Sequence, residues 1–242
     1  MPRVIKHPDV RRSELLDQAL GLFLSRGYDH TSLNNVIAEA GISKGAFYHY
    51  FPSKEALLVA IADRFGRQTL AELEDVLNAP DLDPLQRLNA FLGRALRIKT
   101  DMAPAAWIVF GALFRPENQL LYQRIVIASE TLFRPVLTKM IAQGVKEKIF
   151  HTFDPEGVGD MLQQLASSTY PFVTRAMTAA NDKERQEILK AYHKRLRLHG
   201  IAIDRILGLP DGTLGVPTLH QLKKLMATLR QQPASRSGKS TR

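Results

Sequence analysis

Nearly every segment of this chain spaces its apolar residues at a helical period, and no useful stretch alternates apolar with polar residues. That pattern predicts an all-α protein, because a half-buried strand requires alternation. Leu15, Leu16, Ala19, Leu20 and Phe23 mark a first helix, which Gly27 ends by permitting a backbone that side chains resist. Thr31 or Ser32 can cap a second helix that buries Leu33, Val36, Ile37 and Ala40. Gly41 ends it, and Ser43 can cap a very short third helix running through Tyr50. Pro52 forces a break, after which Ser53 caps a long fourth helix with Leu57, Leu58, Ile61, Phe65, Leu73, Val76 and Leu77 on its apolar side.

The stretch from Asn78 to Pro84, NAPDLDP, reads as a loop and a domain boundary. Asp83-Pro84-Leu85-Gln86 then sets an N-cap, a proline at the first helical position and a glutamine that reaches back to the cap. Further helices are expected at about 84–101, 104–114, 118–148, 155–178 and 183–208. Pro171 falls inside the fourth of these and should kink it. The final ten residues, PASRSGKSTR, lack the apolar side chains needed to hold a fold and are expected to be disordered.

Positions 41–58, GISKGAFYHYFPSKEALL, carry four aromatics between Phe47 and Phe51 beside Lys44, His49 and Lys54. A core segment would not hold those basic groups, and an ordinary surface would not hold those rings. Phe47 and Phe51 lie one helical turn apart and can bury against Val36, Ile37 and Phe23. Lys44, Gly45 and Ala46 would then lead the other face. Helix, tight turn AGIS and second helix form the layout of a helix-turn-helix, whose second helix enters a DNA major groove. Small leading side chains permit close approach, and Lys44 can donate to guanine O6 and N7. Lys54 sits at a helix N-terminus, unfavourable for a cation alone but suited to a shared phosphate.

The run TSLNNVIAEAGISKGAFYHYFPSKEALL, preceded by LFLSRGYDHTS, resembles the DNA-binding head of the tetracycline-repressor (TetR) family of bacterial regulators. The resemblance covers roughly residues 11 to 65. It implies a three-helix head over 1–52, a helical effector-binding and dimerisation domain over 53–208, and a C-terminal extension over 209–242. Ser32 resembles a phosphate contact and Asn34 a base contact. Ser43 belongs with the DNA-contacting set, in which Lys44, Gly45 and Ala46 resemble base-facing positions. Tyr48, His49, Tyr50 and Lys54 resemble phosphate or mixed contacts. Ile37 stands where the family commonly has alanine, and Gly45 and Ala46 are expected to supply the room it needs.

The chain is basic, with net charge +9, but the head carries seven basic against five acidic side chains over residues 1–54. Residues 219–242 hold six basic side chains and no acid, so charge alone does not mark a DNA reader. Zero cysteines exclude disulfides and cysteine nucleophiles. The longest apolar run, Ala103 to Phe114, is too short to span a bilayer, which takes about 20 residues. The start has no secretory core, so a cytoplasmic protein without membrane contact is expected. No G-x-S-x-G, phosphate-binding loop or H-E-x-x-H occurs, and neither metal nor cofactor is expected.

The aromatic residues Trp107, Phe110, Phe114, Tyr122 and Tyr170 are candidates to line a pocket for a small hydrophobic effector. The expected partners are a double-stranded DNA operator, that effector and a second copy of the chain. One short helix reads few bases, so two heads on a two-fold axis would read a palindrome. The dimer surface is expected on helices 155–178 and 183–208, through Val158, Met161, Leu162, Leu165, Thr169, Phe172 and Val173, with Ile188, Tyr192, Leu196 and Ile206. A repressor is the leading reading. An activator of the same fold, a non-specific DNA organiser and an enzyme acting on a hydrophobic small molecule are the rivals.

Overall fold

The computed structural model describes residues 7–101 and 118–230, and all regular structure among them is helical. Four helices open the chain: α1 (Pro8–Arg26), α2 (Leu33–Ala40), α3 (Lys44–Tyr50) and α4 (Lys54–Glu72). Gly27 ends α1 at φ 86°, its N–H bonding to the Phe23 carbonyl. The Thr31 hydroxyl donates back to the Gly27 carbonyl at 2.8 Å, leaving Ser32 as the cap of α2. Ser32, Ser43 and Ser53 each accept a hydrogen bond from a backbone N–H in the next helix's first turn. Such caps satisfy donors that a helix start cannot pair internally. Phe23, Val36, Phe47, Phe51, Leu57 and Ile61 interlock in one core, with Ile37 almost fully buried beside them. An Arg64–Asp17 ion pair at 2.6 Å joins α4 to α1 at the surface.

Seven more helices are described: α5 (Glu74–Asn78), α6 (Pro84–Asp101), α7 (Gln119–Lys146), α8 (Pro155–Ser167), α9 (Tyr170–Thr178), α10 (Asp182–Ile206) and α11 (Leu219–Arg230). The start of α6 follows its sequence signals: the Asp83 carboxylate accepts from Gln86 N–H at 2.8 Å, while Asp83 N–H donates to the Gln86 side chain. A second core joins Leu73, Leu88, Phe91, Leu137, Ile141, Phe150, Ile203 and Leu207. A third joins Val173, Ile188, Leu189, Tyr192, Leu222 and Met226. The first turns of α7 return to the head, where Leu121 and Ile125 are buried in its core. A side chain on Gly66 of α4 would begin 3.0 Å from Leu132, so these helices pack closely.

Two of the expected helices are interrupted. The fourth helix does not run unbroken to 77: fully buried Leu73 turns the chain, its N–H bonding to Leu70 three residues back, before α5 begins. The expected helix 155–178 is two helices rather than one kinked helix. Around its break, the hydroxyls of Ser167, Ser168 and Thr169 bond to carbonyls three residues earlier, and Pro171 lies in the first turn of α9. Hydroxyls that compete for backbone partners, followed by a residue without an N–H, favour such a break.

The chain beyond residue 208 adds α11, which buries Leu222, Leu225 and Met226 in the third core. Thr218 and Gln221 bracket its start, each side chain bonding to the other's backbone N–H. The loop before it is held by fully buried Asp204, whose carboxylate accepts from the N–H groups of Gly212, Thr213 and Leu214 at 2.7–3.1 Å. Asn89 of α6 adds bonds to Thr213 and Gly215. The expected helix 104–114, the N-terminal arm and the last ten residues lie wholly or largely outside the described residues.

Candidate DNA-binding site

The turn between α2 and α3 depends on a backbone conformation and an anchor. Gly41 adopts φ 61° and ψ 33°, and its N–H bonds to the Ala38 carbonyl. A Cβ there would meet nothing within 4 Å, so backbone conformation rather than space favours glycine. Ile42 fills the angle against the head core, and Ser43 caps α3 by accepting from Ala46 N–H at 3.2 Å. Phe47 is completely buried and Phe51 nearly so, with ring centroids 6.0 Å apart. Burying that side of a seven-residue helix turns Lys44, Gly45, Ala46, Tyr48 and His49 outward.

Gly45 does not supply the room for Ile37. It is exposed, and an added Cβ would touch nothing within 4 Å. Ala46 is exposed as well. The bulk of Ile37 is accommodated inside the head core, and the small side chains at 45 and 46 leave the outer face of α3 bare. A helix bare at its leading edge can approach base edges closely.

The remaining candidates surround that face. Ser32 is exposed, but its hydroxyl already engages Asn35, donating to the side-chain oxygen at 2.8 Å and accepting from the backbone N–H. Asn34 is exposed and adjoins this cap. Tyr50 is half-buried against the head core and meets the His49 ring edge-on at 5.6 Å. Lys54 places its Nζ 4.0 Å from the centre of the Tyr28 ring. Partial burial lowers its pKa, while Asp29 and Glu55 act in the opposite direction. Burial also holds the Tyr28 hydroxyl well above its ordinary value.

Arg12 was visible in the sequence only as part of the charge count. It is exposed, with its guanidinium carbon 5.2 Å from the Phe51 ring centre at the α3–α4 turn. Arg11 instead serves the fold, pairing with Glu14 at 2.9 Å and reaching the Ala40 carbonyl that ends α2. The interval of four between the Arg12 and Leu16 positions would have placed Arg12 on the α1 side next to the core.

Of the aromatic effector candidates, Trp107, Phe110 and Phe114 lie outside the described residues. Tyr122 and Tyr170 come together, their ring centroids 4.0 Å apart and the planes inclined by 35°. No group of three metal-ligating side chains converges among the described residues. No helix among those residues is long and apolar enough to cross a membrane.

Two helices joined by a tight turn, the second held by a buried phenylalanine and bare on its outer edge, define a helix-turn-helix protein. Residues 15–61 match the bacterial regulatory proteins of the tetR family. Over 146 residues the chain is 30% identical to the transcriptional repressor KstR2 of Rhodococcus jostii, covering 59% of this chain and 69% of the relative. The chain belongs to the TetR family of bacterial regulatory proteins.

The matched region spans 23% of the Bacillus subtilis regulator YuxN, at 40% identity over 28% of this chain. It spans half of the regulator YerO from the same organism, at 25% identity over 57% of this chain. The fold extends further than these sequence matches. RolR bound to resorcinol superposes with TM-score 0.55 at 19% identity, covering 92% of this chain and 94% of that one. The repressor FadR of Thermus thermophilus bound to lauroyl-CoA gives TM-score 0.57 at 20% identity, covering 78% and 92%.

Proposed function

We propose that the protein is a transcriptional repressor that binds a palindromic operator as a homodimer and is released by a small hydrophobic effector. The observation that carries the reading is the outward edge of α3. Lys44, Gly45 and Ala46 are exposed together on a helix fixed from behind by Phe47. Lys44 reads a guanine edge, Gly45 and Ala46 permit the approach, and Tyr48, His49, Tyr50 and Lys54 meet the phosphates on either side. Ser43 presents α3, while Ser32 and Asn34 place the start of α2 beside the same groove.

Several relatives are named repressors, including KstR2, and the folds of RolR and FadR hold small molecules. These likenesses favour effector control of the helical domain, in which Tyr122 and Tyr170 contribute to the site with Trp107, Phe110 and Phe114. The pairing surface is carried by α8 and α10. Val158, Val173, Ile188 and Tyr192 are spent in single-chain cores, whereas Met161 and Leu198 remain exposed at 44% and 57%. A second copy would cover those two side chains.

Selection of bound duplexes from a random pool, with sedimentation of the free and bound protein, tests the reading. The expected result is an inverted repeat whose half-sites lie about one helical turn apart, or a multiple of it, bound by two chains. Equal competition by unrelated duplex would show that the protein is not a sequence reader.

A further inference from the structure

Tyr122 and Tyr170 meet at the break between α8 and α9, where further hydroxyl groups gather. Tyr192 of α10 is close enough to Tyr122 for charge on either hydroxyl to affect the other. Against burial, Thr169 draws its pKa down, and the Thr169 hydroxyl itself donates to the Ala166 carbonyl at 2.6 Å. One turn beyond Tyr170, on the same side of α9, Thr174 has a buried hydroxyl oxygen without a hydrogen-bond partner among the described residues. A buried hydroxyl left unpaired is unfavourable, so this position favours a partner that supplies the missing bond. A second aromatic pair involves the same tyrosine of α10: Phe172 stacks on Tyr192 at 5.6 Å and 11°.

The charge at this place is specific. Burial is the largest influence on Tyr122, whose pKa is pushed up to about 12, and it also raises that of Tyr192. No cation among the described residues draws either of them down. Arg195 lies 5.9 Å from the Phe172 ring centre and is itself exposed. A carboxylate or phosphate buried among the tyrosines would lose water without gaining a balancing charge from the described residues.

We propose that Tyr122, Tyr170, Tyr192 and Thr174 form the polar end of the effector site, and that the effector is a neutral aromatic molecule bearing a hydroxyl or carbonyl group. The inference rests on the effector-release reading above. The ligand ring packs against the tyrosine faces, and its oxygen bonds to the hydroxyl cluster. Because the break in the helix sits at this cluster, a ligand there also bears on the relative placement of α7, α9 and α10.

The test uses the full-length protein and three probes of matched shape: 4-ethylphenol, ethylbenzene and 4-ethylbenzoate. Calorimetric titration should show 4-ethylphenol binding roughly ten-fold more tightly than ethylbenzene, the scale of one good hydrogen bond, with 4-ethylbenzoate weakest. Tyr122→Phe and Thr174→Val should each remove most of the preference for the phenol while leaving ethylbenzene affinity within about two-fold. Thermal melts of both variants establish that they remain folded.

Tighter binding of the benzoate, equal binding of phenol and hydrocarbon, or no binding by any probe overturns the proposed chemistry. So does an unchanged preference in both variants. Operator titration distinguishes this failure from failure of the functional reading. Phenol binding with the expected preference but without loss of operator affinity overturns release while leaving the polar site in place. Operator release by an anionic ligand does the reverse.

Discussion

Gly41 and Gly45 stand four residues apart and serve opposite needs. At Gly41 the positive φ is the constraint, and the surrounding space is open. Gly41→Ala should therefore cost about 1–2 kcal/mol in denaturant unfolding, with Gly41→Asn costing less because asparagine accepts this conformation more readily. Equal losses for the two variants would contradict that account. At Gly45 the helical backbone is ordinary and the outward space is empty, so the free protein tolerates a larger side chain. Gly45→Leu should keep or raise the melting temperature, since glycine inside a helix costs about 0.5–1 kcal/mol relative to alanine. Operator affinity should fall by at least about ten-fold as the branched side chain holds α3 away from the bases. Retained operator affinity would remove Gly45 from the proposed groove face. Lys54 requires a control, because its ammonium also lies over Tyr28. Lys54→Ala should reduce the slope of log K against log salt by about one per head, with little change in sequence preference. An unchanged slope would show that its role is confined to the Tyr28 ring.

At the scale of elements, legibility in the sequence follows the range of the forces involved. The serine caps, the stop at Gly27 and the Asp83–Gln86 start depend on residues within one turn, and all were readable. Phe47 and Phe51 were readable as anchors because their spacing places both on one side of α3. Leu73 was not readable as a break, because burial against distant partners in the second core accompanies the turn. Tertiary packing similarly obscured the room for Ile37, which lies inside the head. Thr218 and Gln221 carry a local start signal for α11, but what holds the helix is the burial of Leu222, Leu225 and Met226 in the third core, a tertiary contact. The α4 cap shows how a local device enters stability. The Glu55 carboxyl is held below its ordinary value chiefly by a backbone N–H at the helix start and then by Ser53. A depressed folded-state pKa gives stability that is present above the ordinary carboxylate value of 4.5 and lost as pH falls through the folded value. Between pH 7 and pH 3, the wild-type melting temperature should consequently decline further than that of Glu55→Gln. Parallel declines would show that the cap contributes no pH-dependent stability. Ser53→Ala should cost about 1 kcal/mol at neutral pH, read from the denaturation midpoint.

The molecule as a whole is joined through α7. Its first turns place Leu121 and Ile125 in the head core, while its later turns place Leu137, Met140 and Ile141 in the second core. Between the buried head residues, Tyr122 faces Tyr170 of α9. A ligand that alters this tyrosine contact thus acts on a helix already embedded in the head, without requiring a change in DNA-facing residues. Release by 100-fold requires the ligand to favour the DNA-incompetent arrangement by about 2.7 kcal/mol. Reciprocity then requires saturating operator to weaken ligand binding by the same factor. Ile125 offers a selective test because it belongs to the head core, not to the proposed ligand contacts. Truncation to alanine should lower unfolding stability by about 2–4 kcal/mol through the lost packing and residual cavity. If the embedded turns of α7 transmit the ligand's effect, Ile125→Ala should leave ligand affinity near wild type in the absence of DNA. Operator should nevertheless weaken ligand binding by much less than in the wild type, as measured by titrating ligand into free and operator-bound protein. Retention of the full coupling in a folded Ile125→Ala variant would exclude this contact as the transmitter and direct attention to the connection through α4, where Gly66 packs against Leu132.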